Sequence, residues 1–213
     1  MKKLTYFLIF ALTVLVTGIT FAQSEKEIKK DIKQKALKEA RKEAKKLKKE
    51  GFTVAPGQLP MDKQIENTWI KRYEMTDDGN PLYFVADARA VGETHSTAKM
   101  QAYEVAKINI AEQIGSKVAG LIKTNLANAQ LNSEDAASIT KTVASFQSKV
   151  KADIGNMLTL FEASKNIDKN TEVYVTLGYS FNAAMKLAKE KLRKELEAEG
   201  KVNAKELDNI LDF

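Results

Sequence analysis

The stretch Ser96–Leu126, STAKMQAYEVAKINIAEQIGSKVAGLIKTNL, limits the choice of fold more than any other part of the chain. It is the longest uninterrupted helical pattern in the sequence. Met100, Tyr103, Ala106 with Lys107, Ile110, Ala111, Ile114, Val118, Leu121 and Ile122 recur at three and four residues, which places them on one helical face. A helix of about 30 residues is ~45 Å long, beyond the ordinary length, so a kink or break is expected at Gly115 or Gly120. Ala111, Gly115 and Ala119 form a smooth strip at four-residue spacing, where a second backbone can come close. The expected use of this face is to cover a sheet or another helix, not to hold a ligand.

The chain begins with an address. Met1, Lys2 and Lys3 give a positive start, and Leu4 to Ile19 is apolar apart from small residues and Tyr6. Thr20-Phe21-Ala22 then offers small residues at the last and third-last positions before a cut, with Gln23 after it. That is the layout of a secretory signal peptide over residues 1–22. The apolar run is shorter than the ~20 residues that span a bilayer, which favours cleavage over anchoring. No cysteine follows the cut, so no lipid can be attached there. With no cysteine in the sequence, disulfides, thiol nucleophiles and thiolate metal sites are all excluded.

Charge is unevenly spread. Residues 24–50 hold twelve Lys or Arg against six Asp or Glu, whereas the chain from Gly51 onward holds 20 against 22. The basic character therefore belongs to one segment. That segment, SEKEIKKDIKQKALKEARKEAKKLKKEG, reads as an extended basic amphipathic helix over residues 23–50. Its apolar stripe is narrow: Ile28, Ile32, Ala36, Ala40, Ala44 and Leu47. Ser24 is a candidate cap, with Glu25 and Glu27 in the first turn and Lys45, Lys46, Lys48 and Lys49 in the last, as the helix dipole favours. The stripe has no Trp or Phe, so only weak contact with an anionic membrane surface is expected from residues 24–50. The expected arrangement is docking by the stripe, with the lysine face in water.

A Pro/Gly linker and short helix occupy residues 51–67, with Pro56, Pro60, Gly51 and Gly57 breaking regular structure. The α+β domain is expected over residues 68–200, and a short C-terminal helix over 201–213. Trp69 to Met75 reads as a strand, Asp77-Asp78-Gly79-Asn80 as a tight turn, and Pro81 to Gly92 as its hairpin partner. On the partner, Leu82, Phe84, Ala86, Ala88 and Ala90 share one face, and Tyr83, Val85, Asp87, Arg89 and Val91 the other. Asp87 and Arg89 are expected to form an ion pair rather than a catalytic dyad. After the polar break 125–133, a second helix carries Ile139, Val143, Phe146, Val150 and Ile154. A strand around Leu158 and Leu160 and a turn over 165–171 follow. Glu172 to Phe181 alternates cleanly, with Val173, Val175, Leu177, Tyr179 and Phe181 inward and Tyr174, Thr176, Gly178 and Ser180 outward. A charge at position 177, but not at 176, is therefore expected to unfold the domain. Asn182 is a candidate cap for a helix ending at Gly200, and Asn203 with Glu206 opens a last short helix.

This order predicts an α+β fold: an antiparallel sheet of about four strands with long helices packed on one face, preceded by the basic helix. His95 is the sole histidine and has no companion for a metal centre, and no serine sits in a Gly-x-Ser-x-Gly setting. The expectation is no enzyme, no catalytic, cofactor-binding or metal-binding residues, and no cofactor.

A strand ending ARAVG, the alanine-rich run AKMQAYEVAKINIAEQIGSKVAGLI and strands ending EVYVTLGYSF resemble the Lpp-twenty type of Gram-negative envelope lipoproteins, over about half the chain. The same unit resembles the N-terminal part of the flagellar T-ring protein. The VAPGQLPMDKQ linker is similar to that of uncharacterised secreted proteins of Bacteroidota. These resemblances imply export to the periplasm or outer cell surface of a Gram-negative bacterium. They also imply a non-catalytic role in structural assembly or protein interaction, through an envelope protein partner or self-association. The chain departs from the lipoproteins in lacking the lipidated cysteine and in carrying the basic helix. The competing expectation is a binding module for a small molecule or envelope polymer, in a pocket between the long helix and the sheet. Nucleic acid is not an expected partner, because the basic segment has no interleaved aromatics.

Overall fold

In the computed structural model the long helical pattern forms one helix, α3 (His95–Asn128, 34 residues), without a break at either glycine. The structure describes residue 30 and residues 34–129, 133–200 and 203–213. The signal peptide, most of residues 23–33 with the candidate cap Ser24, and the start of the C-terminal segment lie outside the described residues. The other elements are α1 (residues 34–49), α2 (Met61–Tyr73), β1 (Tyr83–Gly92), α4 (Ser133–Asp153), β2 (Leu158–Ile167), β3 (Asn170–Ser180), α5 (Phe181–Glu199) and α6 (Ala204–Ile210).

The class is α+β, and the sheet has three strands among the described residues, in the order β1-β3-β2 with both pairings antiparallel. The fourth expected strand is instead the second half of α2. Trp69, Ile70 and Tyr73 favour strands as residue types, but Met61, Ile65 and Thr68 bury one helical line behind Pro60. A polar member, Thr68, hides that line from a hydrophobic reading. The expected tight turn exists at residues 76–80 and leads from α2 into β1: Gly79 has φ +74° and Thr76 N–H donates to the Asn80 carbonyl at 2.7 Å.

Helices lie on both faces of the sheet, not on one. Phe84, Ala86 and Ala88 of β1 and Val173, Val175, Leu177 and Tyr179 of β3 face α3 and, behind it, α4, α5 and α6. The opposite face packs Phe161 and Ala163 of β2, with Tyr174 beside them, against Ala40, Ala44 and Leu47 of α1, Phe52 of the linker and Met61 and Ile65 of α2. The α1 stripe therefore docks on the chain's own domain. A β-strand shows alternate residues to two faces, so the second layer turns the polar alternates of β1 and β3 inward as well.

The stripe of α3 differs from its expected membership. Met100 is 67 % exposed, while Ala98, Ala102 and Ala106 are fully buried and continue into Ile110, Ile114, Val118 and Ile122. Facing Ala86 and Ala88, these alanines let the helix lie close to the sheet. Gly115 is the point where α4 comes nearest: a Cβ there would lie 2.8 Å from Gln147 Cγ and 3.3 Å from its Cα. Thr94 caps α3 by accepting from Thr97 N–H at 3.2 Å. Ser180, not Asn182, caps α5, and the Asn203–Glu206 capping box opens α6. β2 and β3 run on to a tight turn at Asp168-Lys169, with Asp168 left-handed at φ +51°.

Candidate functional site

Under the C-terminal half of α2 the second layer leaves a cleft of about 200 Å³. Trp69 and Tyr73 enter it from α2, one turn apart, with ring centroids 5.3 Å apart. Phe161 and Tyr174 form the floor, edge to face at 5.0 Å. Glu43 reaches in from α1. The polar alternates of the sheet, Asp87 and Thr176, keep hydrocarbon from filling the space.

Asp87 does not pair with Arg89 as expected. Both of its carboxylate oxygens accept from Arg72 Nη2, at 2.8 and 2.7 Å, and one also accepts from the Thr176 hydroxyl at 2.7 Å. Arg89 instead lies over the Tyr174 ring at 4.4 Å and over Phe52 at 5.1 Å, near Glu50 at 3.4 Å and Glu172 at 3.9 Å. Burial, reinforced by the carboxylates of Asp87 and Glu43, pushes the Tyr174 hydroxyl up to about 12, against the opposing pull of Arg89 and Arg72. Between the ordinary tyrosine value near 10 and that raised value, the unfolded chain releases this proton and the folded chain keeps it. Stability contributed by Tyr174 is thus complete below about pH 10 and falls as pH rises, by about 1 kcal/mol after solvent screening. Chemical denaturation from pH 9 to 11.5 checks this: Tyr174→Phe should lose less stability across the window than the parent chain.

A second, wider groove of about 610 Å³ runs along the β2 edge between α2 and the start of α3. Glu162, 13 % exposed at its side chain, gathers the polar groups there. Lys99 Nζ lies 2.9 Å away, and this hydrogen bond raises the lysine's pKa. Tyr103 hydroxyl bonds Thr159 and approaches Glu162 at 3.4 Å. His95 is the first residue of α3, half-exposed, with Nε2 3.9 Å from Glu162. Away from this edge the described contact between α3 and the sheet is packed by the alanines and Ile110. Among the described residues no three His, Asp or Glu side chains cluster as a metal centre requires, and no helix is long and apolar enough to cross a membrane.

The strand edges are occupied by the chain itself over much of their length. Glu162 N–H donates to Gln64 Oε1 at 3.0 Å, and Ser164 exchanges backbone hydrogen bonds with Thr53 at 2.8 and 2.9 Å. On β1, the Val85 and Asp87 carbonyls accept from Gln113 at 3.2 Å and Asn109 at 3.5 Å. Sequence reasoning named no site residues, and it missed the cleft because Trp69 and Tyr73 were assigned to a strand. Their spacing of four, continuing Met61 and Ile65, was the available signal. Comparison with family models, curated proteins and solved structures finds no match to this chain.

Proposed function

We propose that this chain is a non-catalytic cell-envelope protein, exported by its first 22 residues to the periplasm or outer surface of a Gram-negative bacterium, that acts in assembly or interaction through the outward face of α1. The observation that carries the reading is the split of that helix. Ala40, Ala44 and Leu47 are buried against the sheet layer, whereas Arg41, Lys42, Lys45, Lys46, Lys48 and Lys49 are exposed. Arg41, Lys45, Lys48 and Lys49 border an open groove with Asp62 of α2. Their positions are fixed by the folded domain, so a partner meets an ordered ribbon of charge without ordering a free helix first. The partner chemistry that fits is an acidic envelope surface, protein or lipid headgroup. Pairing of the Glu162, Asp87 and Glu172 carboxylates with neighbouring cations suits a binding protein better than a general acid or base.

Sedimentation of residues 23–213 with anionic vesicles tests the reading. Binding is expected at about 50 mM salt and should be largely lost by about 300 mM, because exposed charges are screened within a Debye length. The Arg41→Glu, Lys45→Glu, Lys48→Glu triple variant should stay in the supernatant at low salt. A triple variant that sediments like the parent, or binding that resists salt, would move the contact away from α1.

A further inference from the structure

The cleft under α2 has a consistent electrostatic sign. Four aromatic rings line it, and an aromatic face carries the negative side of the ring's quadrupole. Of its two carboxylates, Asp87 is neutralised by Arg72 through both oxygens. Glu43 has no ion pair among the described residues, although Glu39 and Glu50 on the same side of the chain are held by Lys42 at 3.7 Å and Lys46 at 3.9 Å. The lining therefore has a net charge of −1 from Glu43, Asp87 and Arg72, in addition to its rings. The Tyr174 hydroxyl is pushed up mainly by its burial, with the carboxylates of Asp87 and Glu43 adding to the shift and Arg89 and Arg72 opposing it. Tyr174 already binds one cation through its ring, the Arg89 guanidinium at 4.4 Å.

We propose that this cleft binds a small organic cation, an alkylated ammonium head group seated against Trp69, Tyr73 and Phe161 with Glu43 as its counter-ion. An anion would meet Glu43 while the guanidinium it needs is engaged by Asp87. A neutral ligand would gain the ring contacts but no attraction from Glu43. A metal ion would find no cluster of ligands among the described residues. A space of about 200 Å³ suits a head group with a short tail and is too small for a polymer. Ammonium over an aromatic face with a nearby carboxylate is favourable because the weakly hydrated cation loses little water and gains both ring and ion attraction. The site is independent of the lysine ribbon, which lies on the other side of α1.

Trp69 is the single tryptophan of the sequence, so its emission reads the cleft directly. The experiment titrates residues 23–213 with choline chloride and tetramethylammonium chloride at constant ionic strength, and with 3,3-dimethylbutan-1-ol as the neutral counterpart of choline. A saturable change with half-effect in the millimolar range is expected for both ammonium salts, with the alcohol at least about five-fold weaker. Glu43→Gln should weaken choline by about five-fold with an unchanged melting temperature. Tyr73→Leu, at a 43 % exposed position, removes a ring without altering charge and should weaken choline several-fold. The proposal is overturned by no saturable change up to about 200 mM. It is equally overturned if the alcohol binds as well as choline, or if both variants bind like the parent.

Discussion

Leu177→Asp should abolish folding at ambient temperature, and Thr176→Asp, one residue earlier on the opposite face, should destabilise by about 2–3 kcal/mol. Leu177 is fully buried between the sheet and α3. An aspartate there loses the transfer energy of the leucine and buries a charge with no partner, several kcal/mol against a total stability of ~5–15 kcal/mol. The effect at position 176 comes from the second helical layer. Thr176 is only 2 % exposed and donates to Asp87 at 2.7 Å. Aspartate there replaces that donor with a second carboxylate, and two like charges so close cannot both stay ionised without penalty. Leu158→Asp, on β2 at 49 % exposure, is the control and should cost under about 1 kcal/mol. Urea unfolding of the three variants decides the matter. Equal midpoints for the 177 and 158 variants would refute the assignment of faces, and a silent 176 variant would refute the second layer.

The two central glycines of α3 should respond in opposite directions. Gly115→Val pushes a branched side chain into α4, where even a Cβ meets Gln147 at 2.8 Å, and should destabilise by about 2–3 kcal/mol. Gly120 has nothing within 4 Å of the corresponding position, so Gly120→Ala relieves the backbone entropy of glycine and should stabilise by about 0.5–1 kcal/mol. Thermal melts of the two variants check the sign. A destabilised Gly120→Ala or a neutral Gly115→Val would displace the α3–α4 contact from where it is drawn.

Much of the fold could be read from local pattern. The three- and four-residue spacing of α3, the alternation of β3, the left-handed Gly200 after α5 and the Asn203–Glu206 box are each dictated by a few adjacent residues. What could not be read was the layer on the far side of the sheet. Alternation says that Asp87 and Thr176 share a face, but not that another element covers it. The α1 stripe, largely alanine, announces docking but not the surface it docks on, and Thr68 is a polar member of the buried line of α2. The same gap explains the misassigned ion pair. Asp87 and Arg89 share a face two residues apart, and only the unforeseen continuation of α2 through Tyr73 brings Arg72 within 2.7 Å. Of the cleft, local pattern offered the four-residue spacing that puts Trp69 and Tyr73 on one side of α2, but not the layer they face.

The alanine-lined contact between α3 and the sheet has a mechanical consequence. Ala98, Ala102 and Ala106 against Ala86 and Ala88 make a smooth surface with few interlocking side chains. Smooth surfaces bring backbones together but resist sliding poorly, because displacement along the axis exchanges one methyl contact for another. Along this stretch the helix is held in position from its sides. On one side Asn109 and Gln113 hold two β1 carbonyls, and on the other Lys99 and Tyr103 hold Glu162 and Thr159 of β2. These four side chains act as detents for the alanine end of the helix, beyond which Ile110, Ile114, Val118 and Ile122 interlock with their neighbours in the core.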